Sequence, residues 1–321
     1  MSLSERSGFP GEKEKSAECP VADKSVAVLL ATFNGEKYLH EFLNSLCAQN
    51  YRDFCIYVRD DGSSDATLDI VTEYENELDI RLLPGGERLG AFQNFFQLLQ
   101  VAGDGHACYM LADQDDYWYP DKIERAWQAV GDCSEDIILY CTRLEYADAK
   151  LNSLGFSKIP RLLAFENAVV ENIASGCSIA ISRRVKRNLV IPDARYSIAH
   201  DWWLYMYCSA AGKVIYDERP SLQYRLHFSN TIGATTSRLE ELKRRIQRHI
   251  KNEHIFLHLS QQFLLCYGHA LSQQHRDLLQ NIIKNAQTLS GRLRMALQPP
   301  FSRQRQIDNL ILRMIYLLGR F

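Results

Sequence analysis

The sequence predicts an α/β protein: a mostly parallel mixed sheet flanked by helices, followed by a helical C-terminal appendage. Three observations carry this prediction. Short apolar runs rich in Val, Ile and Leu alternate four times with segments of helical periodicity, the signature of strands joined by crossover helices. The first, second and fourth of these runs each end in a polar loop of Asn, Asp, Gly or Ser. Beyond Arg238 the strand signal disappears and the chain reads as helix to its end.

Taken in order, Ser25–Phe33 (SVAVLLATF) reads as a buried strand, because strands covered on both faces are apolar throughout rather than alternating. Leu39, Phe42, Leu43 and Leu46 then recur at i, i+3, i+4 and i+7, one face of a helix. Phe54–Val58 is the second strand. The turn Asp60-Asp61-Gly62-Ser63-Ser64-Asp65 can cap the helix behind it, with Leu68 and Val71 expected to face inward. Ile80–Leu83 is a short third strand, broken by Pro84, and a helix follows over Phe92–Val101. Ala107–Leu111 is the fourth strand and ends in Ala112-Asp113-Gln114-Asp115-Asp116, after which Pro120 opens a helix carrying Ile123 and Trp127. Later strands are expected at Ile137–Thr142, after the turn at Gly176, at Val214–Tyr216 and at Leu222–Leu226, with a helix starting near Asp201. The C-terminal helical stretch is expected to break near Gly291 and at Pro299-Pro300.

The composition, 46% apolar and 24% charged, is that of a globular chain and excludes a mainly disordered or coiled-coil protein. The net charge of −2 gives no basis for a nucleic-acid partner. Charge is unevenly spread: residues 235–321 hold 14 Lys/Arg against 5 Asp/Glu, so this last part is a distinct, basic region. No run of 18 apolar residues marks a membrane span, and residues 1–24 are read as a disordered tail without the apolar centre of a signal peptide. Nine cysteines with no CxxC pair point to reduced thiols and a cytoplasmic setting.

Ligands of doubly wound sheets bind at the carboxyl ends of the strands, so Thr32/Asn34, Asp60/Asp61 and Asp113/Asp115 are expected to be neighbours. In Asp113-Gln114-Asp115 the two carboxylates at i and i+2 share a side of the strand end, and Asp116 points elsewhere. Such a pair suits a hard cation, Mg²⁺ or Mn²⁺; a solvated acidic turn is the other reading. Asp60 and Asp61 read either as a turn that caps the helix or as acceptors for the imide N–H of a pyrimidine.

The segments ATFNGEKYL, RDDGSSD and LADQDDYW, in this order and spacing, resemble the family 2 glycosyltransferases of the GT-A (Rossmann-like) fold. ASGCSIAISR, AHDWWLY and YRLHFSNTIG look like the bacterial branch that includes rhamnosyltransferases of surface-polysaccharide assembly. The resemblance covers about Ser25 to Gly233 and implies a catalytic domain over residues 25–234, with 235–321 as a separate basic helical region. It implies inverting, metal-dependent transfer of one sugar from a nucleotide diphosphate sugar, dTDP-rhamnose or a UDP-hexose, to a glycan or lipid-linked glycan. Under it Thr32, Asn34, Asp60 and Asp61 line the nucleoside side, and Asp113 and Asp115 hold Mg²⁺ or Mn²⁺ with His227 as third ligand or phosphate contact. Gly176 lets backbone approach the sugar, Asp201 is the general base, and Arg225 and Asn230 are weaker phosphate contacts. Relatives often have Glu-Asp where this chain has His200-Asp201.

Several readings stay open. Asp201 is a base or a helix cap, and Trp202 and Trp203 are core or a platform for an acceptor sugar. A sugar-phosphate nucleotidyltransferase would need a Gly-rich basic loop after the first strand, which ATFNGEKY lacks. A non-catalytic nucleotide-sugar-binding subunit needs no intact carboxylates, yet Asp113, Asp115 and Asp201 are all present. The absence of a QxxRW motif argues for single-sugar transfer rather than processive synthesis. The basic region, with Leu239, Leu242, Ile246 and Ile250 at helical spacing, either packs on the catalytic domain or attaches peripherally to an anionic inner membrane.

Overall fold

The computed structural model describes residues 25–85, 87–193, 199–226 and 254–321; the expected tail at 1–24, His227, Asn230 and Leu239 to Ile250 lie outside the described residues. The chain begins with β1 (Val26–Thr32), α1 (Leu39–Cys47), β2 (Phe54–Asp60), α2 (Thr67–Glu73), β3 (Ile80–Leu82) and α3 (Gly90–Val101). It continues through β4 (Cys108–Asp113), β5 (Tyr117–Trp118), α4 (Lys122–Val130), β6 (Ile138–Thr142), β7 (Glu145–Ala147) and β8 (Ser153–Phe156). Next come α5 (Phe165–Ala168), β9 (Ala180–Ser182), α6 (Arg183–Asn188), α7 (His200–Ala211), β10 (Lys213–Asp217) and β11 (Leu222–Arg225). The described chain closes with α8 (Ile255–Tyr267), α9 (Gln273–Ala286), α10 (Leu289–Leu297) and α11 (Gln306–Leu317).

Seven strands form one sheet in the order β10-β6-β9-β4-β1-β2-β3. All neighbours are parallel except β9, which runs antiparallel to both β4 and β6. Burial on both faces explains the unbroken apolar strands: Ala27 and Leu29 face one core, while Val26, Val28 and Leu30 face the other. Helices α1, α2 and α4 cover the second face, through residues such as Phe42, Val71 and Ile123. The first face is covered by α3, α5 and α7 and also by the C-terminal helices, whose Phe256, Leu259, Phe263 and Tyr267 join the same core as Trp203. The described part of the basic region, residues 254–321, therefore shares the core of the sheet domain.

Several expectations are corrected. Leu68 is exposed; α2 is only two turns long and turns Thr67, Ile70 and Val71 to the sheet instead. A second, four-stranded sheet, β5-β11-β7-β8, was not expected beyond the β11 run, because its strands are two to four residues long and too short for a period to register. The helix break expected near Gly291 falls just before it, where Thr288 caps α10 by accepting the Gly291 N–H. A further break separates α8 from α9 at Gly268–Ser272, with the Ser272 hydroxyl accepting the His275 N–H.

Among the described residues no helix is long and apolar enough to cross a membrane. Leu289, Leu293 and Leu297 on α10 and Ile307, Leu310 and Met314 on α11 are nevertheless exposed, a helical-spaced apolar stripe beside the buried face.

The turn from α7 into β10 demands a residue without a side chain: a Cβ on Gly212 would lie 2.0 Å from the Ile137 carbonyl oxygen. Gly212→Ala is expected to lower stability by about 2 kcal/mol or more, read as a fall in the thermal midpoint.

Candidate active site

Strand β1 lies between β2 and β4, with Thr32 opposite Asp60 and Ala31 opposite Asp113. All three strands are parallel, so the loops that leave them open along one rim, as the sequence pattern requires.

The first two loops are laced together. Asn34, at φ 45°, donates its backbone N–H to the Ser63 hydroxyl and accepts the Ser64 N–H on its side-chain oxygen. The Gly35 N–H reaches the Thr67 hydroxyl at 2.7 Å. Asp60 is buried and accepts from the Thr32 and Ser63 hydroxyls and from the Gly62 and Ser63 N–H groups. Four donors fill a carboxylate's acceptor positions, so Asp60 is committed to shaping this loop. Asp61 turns away from the rim, to Arg59 (3.0 Å) and to the N–H groups of Leu89 (2.6 Å) and Gly90 (2.8 Å) at the start of α3. Burial opposes its charge, but these donors outweigh it and hold the carboxyl below its ordinary range. Asp61 thus clamps the start of α3. Arg88 is exposed and lies 3.9 Å above the Phe33 ring at the same rim.

The third loop is tied to the first by a residue that drew no attention in the sequence. The Gln114 amide accepts the Phe33 N–H and donates to the Phe33 carbonyl, both at 2.9 Å, and it fills the space where Gly35 lacks a side chain. Asp113 stands within electrostatic reach of Asp115 and of Asp201; burial first, then these two carboxylates, lift it to about 7. Asp116 was expected to point elsewhere. It instead lies beneath Asp113, and ligand atoms of Asp113, Asp116 and Cys177 lie within 4.8 Å of one another. Burial, aided by repulsion from Asp115 and Asp113, raises Asp116 well above its ordinary range, and burial likewise keeps Cys177 a thiol. A neutral thiol is a poor ligand for a hard ion, and this group leaves out Asp115, the partner that the sequence gives Asp113. A cation there would relieve the repulsion that raises Asp113.

Arg225, expected as a phosphate contact, is fully buried. It donates to the backbone carbonyls of Asp115 (2.8 Å) and Ala149 (2.5 Å), pairs with Glu41, and lies 4.3 Å from the Tyr38 ring centre. Its own N–H faces Asp116. Arg225 therefore positions the acidic loop from below and is not placed to touch a ligand.

Asp201 lies in the first turn of α7, whose N-cap position is Ala199. Its carboxylate accepts the Gly176 N–H (3.2 Å) and the Trp202 N–H (2.7 Å), joining the Gly176 turn to the helix. The two tryptophans part company. Trp203 is core, donating to the Val190 carbonyl and packing on Phe263 and Tyr267. Trp202 is half-buried beside Asp201, with its indole N–H on the Ala168 carbonyl. His200 sits against Gly176, where a Cβ would come 2.7 Å from its Nε2. Burial lowers the His200 pKa, and Nε2 has no hydrogen-bond partner among the described residues.

A parallel sheet with acidic loops meeting at its carboxyl edge defines a class of nucleotide-sugar-using enzymes, and comparison agrees. Residues 27–190 match the family model described as glycosyl transferase family 2, and the chain belongs to that family; it is a glycosyltransferase. It is 30% identical over 231 residues to the dTDP-rhamnosyl transferase RfbG of Shigella flexneri, covering 67% of this chain and 77% of that one. Over 123 residues it is 32% identical to the poly(ribitol-phosphate) beta-N-acetylglucosaminyltransferase TarS of Staphylococcus aureus, 35% of this chain and 20% of that one. The crystal structure of S. aureus TarS 1–349 in complex with UDP-GlcNAc superposes with a TM-score of 0.59 at 16% identity, over 92% of this chain and 82% of that one. That likeness establishes the GT-A fold.

The raised Asp113 has a signed consequence. The folded chain keeps this proton up to about pH 7 while the unfolded chain gives it up at the ordinary carboxylate value, so stability falls as pH rises between the two. Without divalent cations, Asp113→Asn is expected to raise the thermal midpoint by about 2–5 °C at pH 8, the gain shrinking as pH falls toward 4.

Proposed function

We propose that the chain moves a single sugar from a nucleotide diphosphate sugar, dTDP-rhamnose or a UDP-hexose, to a hydroxyl of a glycan or lipid-linked glycan, with inversion at the anomeric carbon. The observation that carries this reading is the approach of Asp201, in the first turn of α7, to the Asp113 and Asp115 loop at the end of β4. The match to a dTDP-rhamnosyl transferase over two thirds of the chain supports rhamnose as the sugar.

In this reading the laced loops of Thr32, Asn34 and Asp60 frame the nucleoside, and the Gly176 turn brings backbone close to the sugar. Asp113 and Asp115 hold Mg²⁺ or Mn²⁺, with His227 as a further contact; when bound, such an ion neutralises charge on the departing diphosphate. Asp201 accepts the acceptor's hydroxyl proton as that oxygen bonds to the anomeric carbon and the bond to the diphosphate breaks. The Gly176 and Trp202 N–H groups aim its carboxylate, and a base facing the leaving group's opposite side gives one displacement and inversion. A non-catalytic sugar-binding subunit would have no need for this aimed carboxylate.

The exposed apolar stripe on α10 and α11, in a region with 14 Lys/Arg against 5 Asp/Glu, supports peripheral contact with an anionic inner membrane where a lipid-linked acceptor is held. Flotation with anionic vesicles is expected to carry the chain at low salt and release it at high salt; no flotation at either salt removes this part of the proposal.

Asp201→Asn is expected to lower kcat by about 10²- to 10⁴-fold with nucleotide affinity retained, measured as nucleoside diphosphate release from dTDP-rhamnose and UDP-hexoses with Mn²⁺ or Mg²⁺. Full activity in that variant, or retention at the anomeric carbon by NMR of the product, would overturn the assignment.

A further inference from the structure

Asp201 and Trp202 also form part of the wall of a groove of about 1260 Å³ that none of Thr32, Asp60, Asp113 or Asp115 lines. Five Lys/Arg side chains line the groove against three carboxylates, Glu171, Asp201 and Asp308. Arg143 enters it just after β6, Lys158 and Arg161 follow β8, and Arg303 and Arg305 come from the link between α10 and α11. The link is buckled to the segment after β8 by one side chain: Gln304 accepts the N–H groups of Arg161 (2.7 Å) and Leu162 (3.1 Å) and donates to the Leu162 carbonyl. Of the three carboxylates that line the groove, Glu171, Asp201 and Asp308, Glu171 is engaged in this buckle, accepting the Gln304 N–H at 2.7 Å and an Asn167 amide N–H.

Arg143 and Arg303 each donate Nε to a backbone carbonyl. Arg143 donates Nε to the Ser157 carbonyl at 2.7 Å and lies over the Phe156 ring, and its two terminal nitrogens make no hydrogen bond among the described residues. Arg303 donates Nε to the Val170 carbonyl at 2.9 Å. Lys158 and Arg161 are exposed and have no carboxylate partner among the described residues. Several cations fixed around one groove suit an anion of more than one charge, and planar guanidinium groups favour phosphate oxygens.

We propose that this groove binds the phosphate of a phosphate-bearing acceptor, placing a hydroxyl of that acceptor at Asp201. The inference rests on the glycosyltransferase reading for the role of Asp201, but the anion site itself does not. Phosphate in such an acceptor has two sources, a diphosphate joining the glycan to a lipid or a phosphodiester within the glycan, and both present the same oxygens to Arg143, Lys158 and Arg161.

The test is calorimetry on the full chain with inorganic diphosphate as the probe, in the presence of saturating dTDP or UDP. Diphosphate is expected to bind beside the nucleotide, and Lys158→Gln/Arg161→Gln to weaken it by about tenfold or more while nucleotide affinity stays within about twofold. Both side chains are exposed, so the variant is expected to keep the wild-type thermal midpoint; Arg161→Glu alone serves as the second variant. Diphosphate binding that ignores both variants, or that nucleotide displaces competitively, overturns the proposal. Binding that is variant-sensitive in a chain with no nucleotide affinity supports the anion site and counts instead against the transferase reading. Decyl diphosphate and glycerophosphoglycerol then separate the sources, the tighter and variant-sensitive of the two naming the acceptor linkage; insensitivity of both overturns the proposal.

Discussion

Repulsion among Asp113, Asp115 and Asp201 has to be sustained by parts of the chain that bear none of the chemistry. Left to themselves, three carboxylates at one rim would swing apart into water. Here the Phe33–Gln114 clasp fixes the acidic loop to β1, and Arg225 grips it from beneath through the Asp115 carbonyl. Arg225 grips the Asp115 carbonyl, so the position of the loop is set through its backbone. Asp201 is anchored separately, by the Gly176 and Trp202 N–H groups.

The parts of this arrangement that were readable in the sequence are those governed by local rules. Val26–Thr32 and Cys108–Asp113 show as strands because burial on two faces demands unbroken apolar residues, and the polar loops mark their carboxyl ends. The grouping of Thr32, Asp60 and Asp113 follows from parallel pairing alone. The unreadable parts depend on long-range partners. Arg225 resembles any polar residue of a short strand until Glu41, 184 residues earlier, is seen beside it. Asp116 looks like a spare member of an acidic run, and only the fold brings Cys177 to it. Asp61 gives no sign that its partners are Arg59 and the opening of α3.

Asp60 and Asp61 are adjacent carboxylates, and adjacent carboxylates repel one another. The chain resolves that repulsion internally, giving one residue four donors from its own loop and the other a buried guanidinium with two helix-end N–H groups. Their contribution is a stiff rim. A nucleoside meeting it would find loops already ordered, which reduces the conformational entropy lost on binding.

The C-terminal helices contribute on two sides at once. Phe263 and Tyr267 of α8 support Trp203, two residues from Asp201, while Arg303 and Arg305 line the groove whose wall includes Asp201. Grafting this segment from one relative onto another would therefore exchange the groove's charge and the seat of α7 in a single act. The groove's lining is not a detachable module in this chain: a chimera that takes foreign arginines at 303 and 305 also takes the foreign aromatic residues on which Trp203 rests.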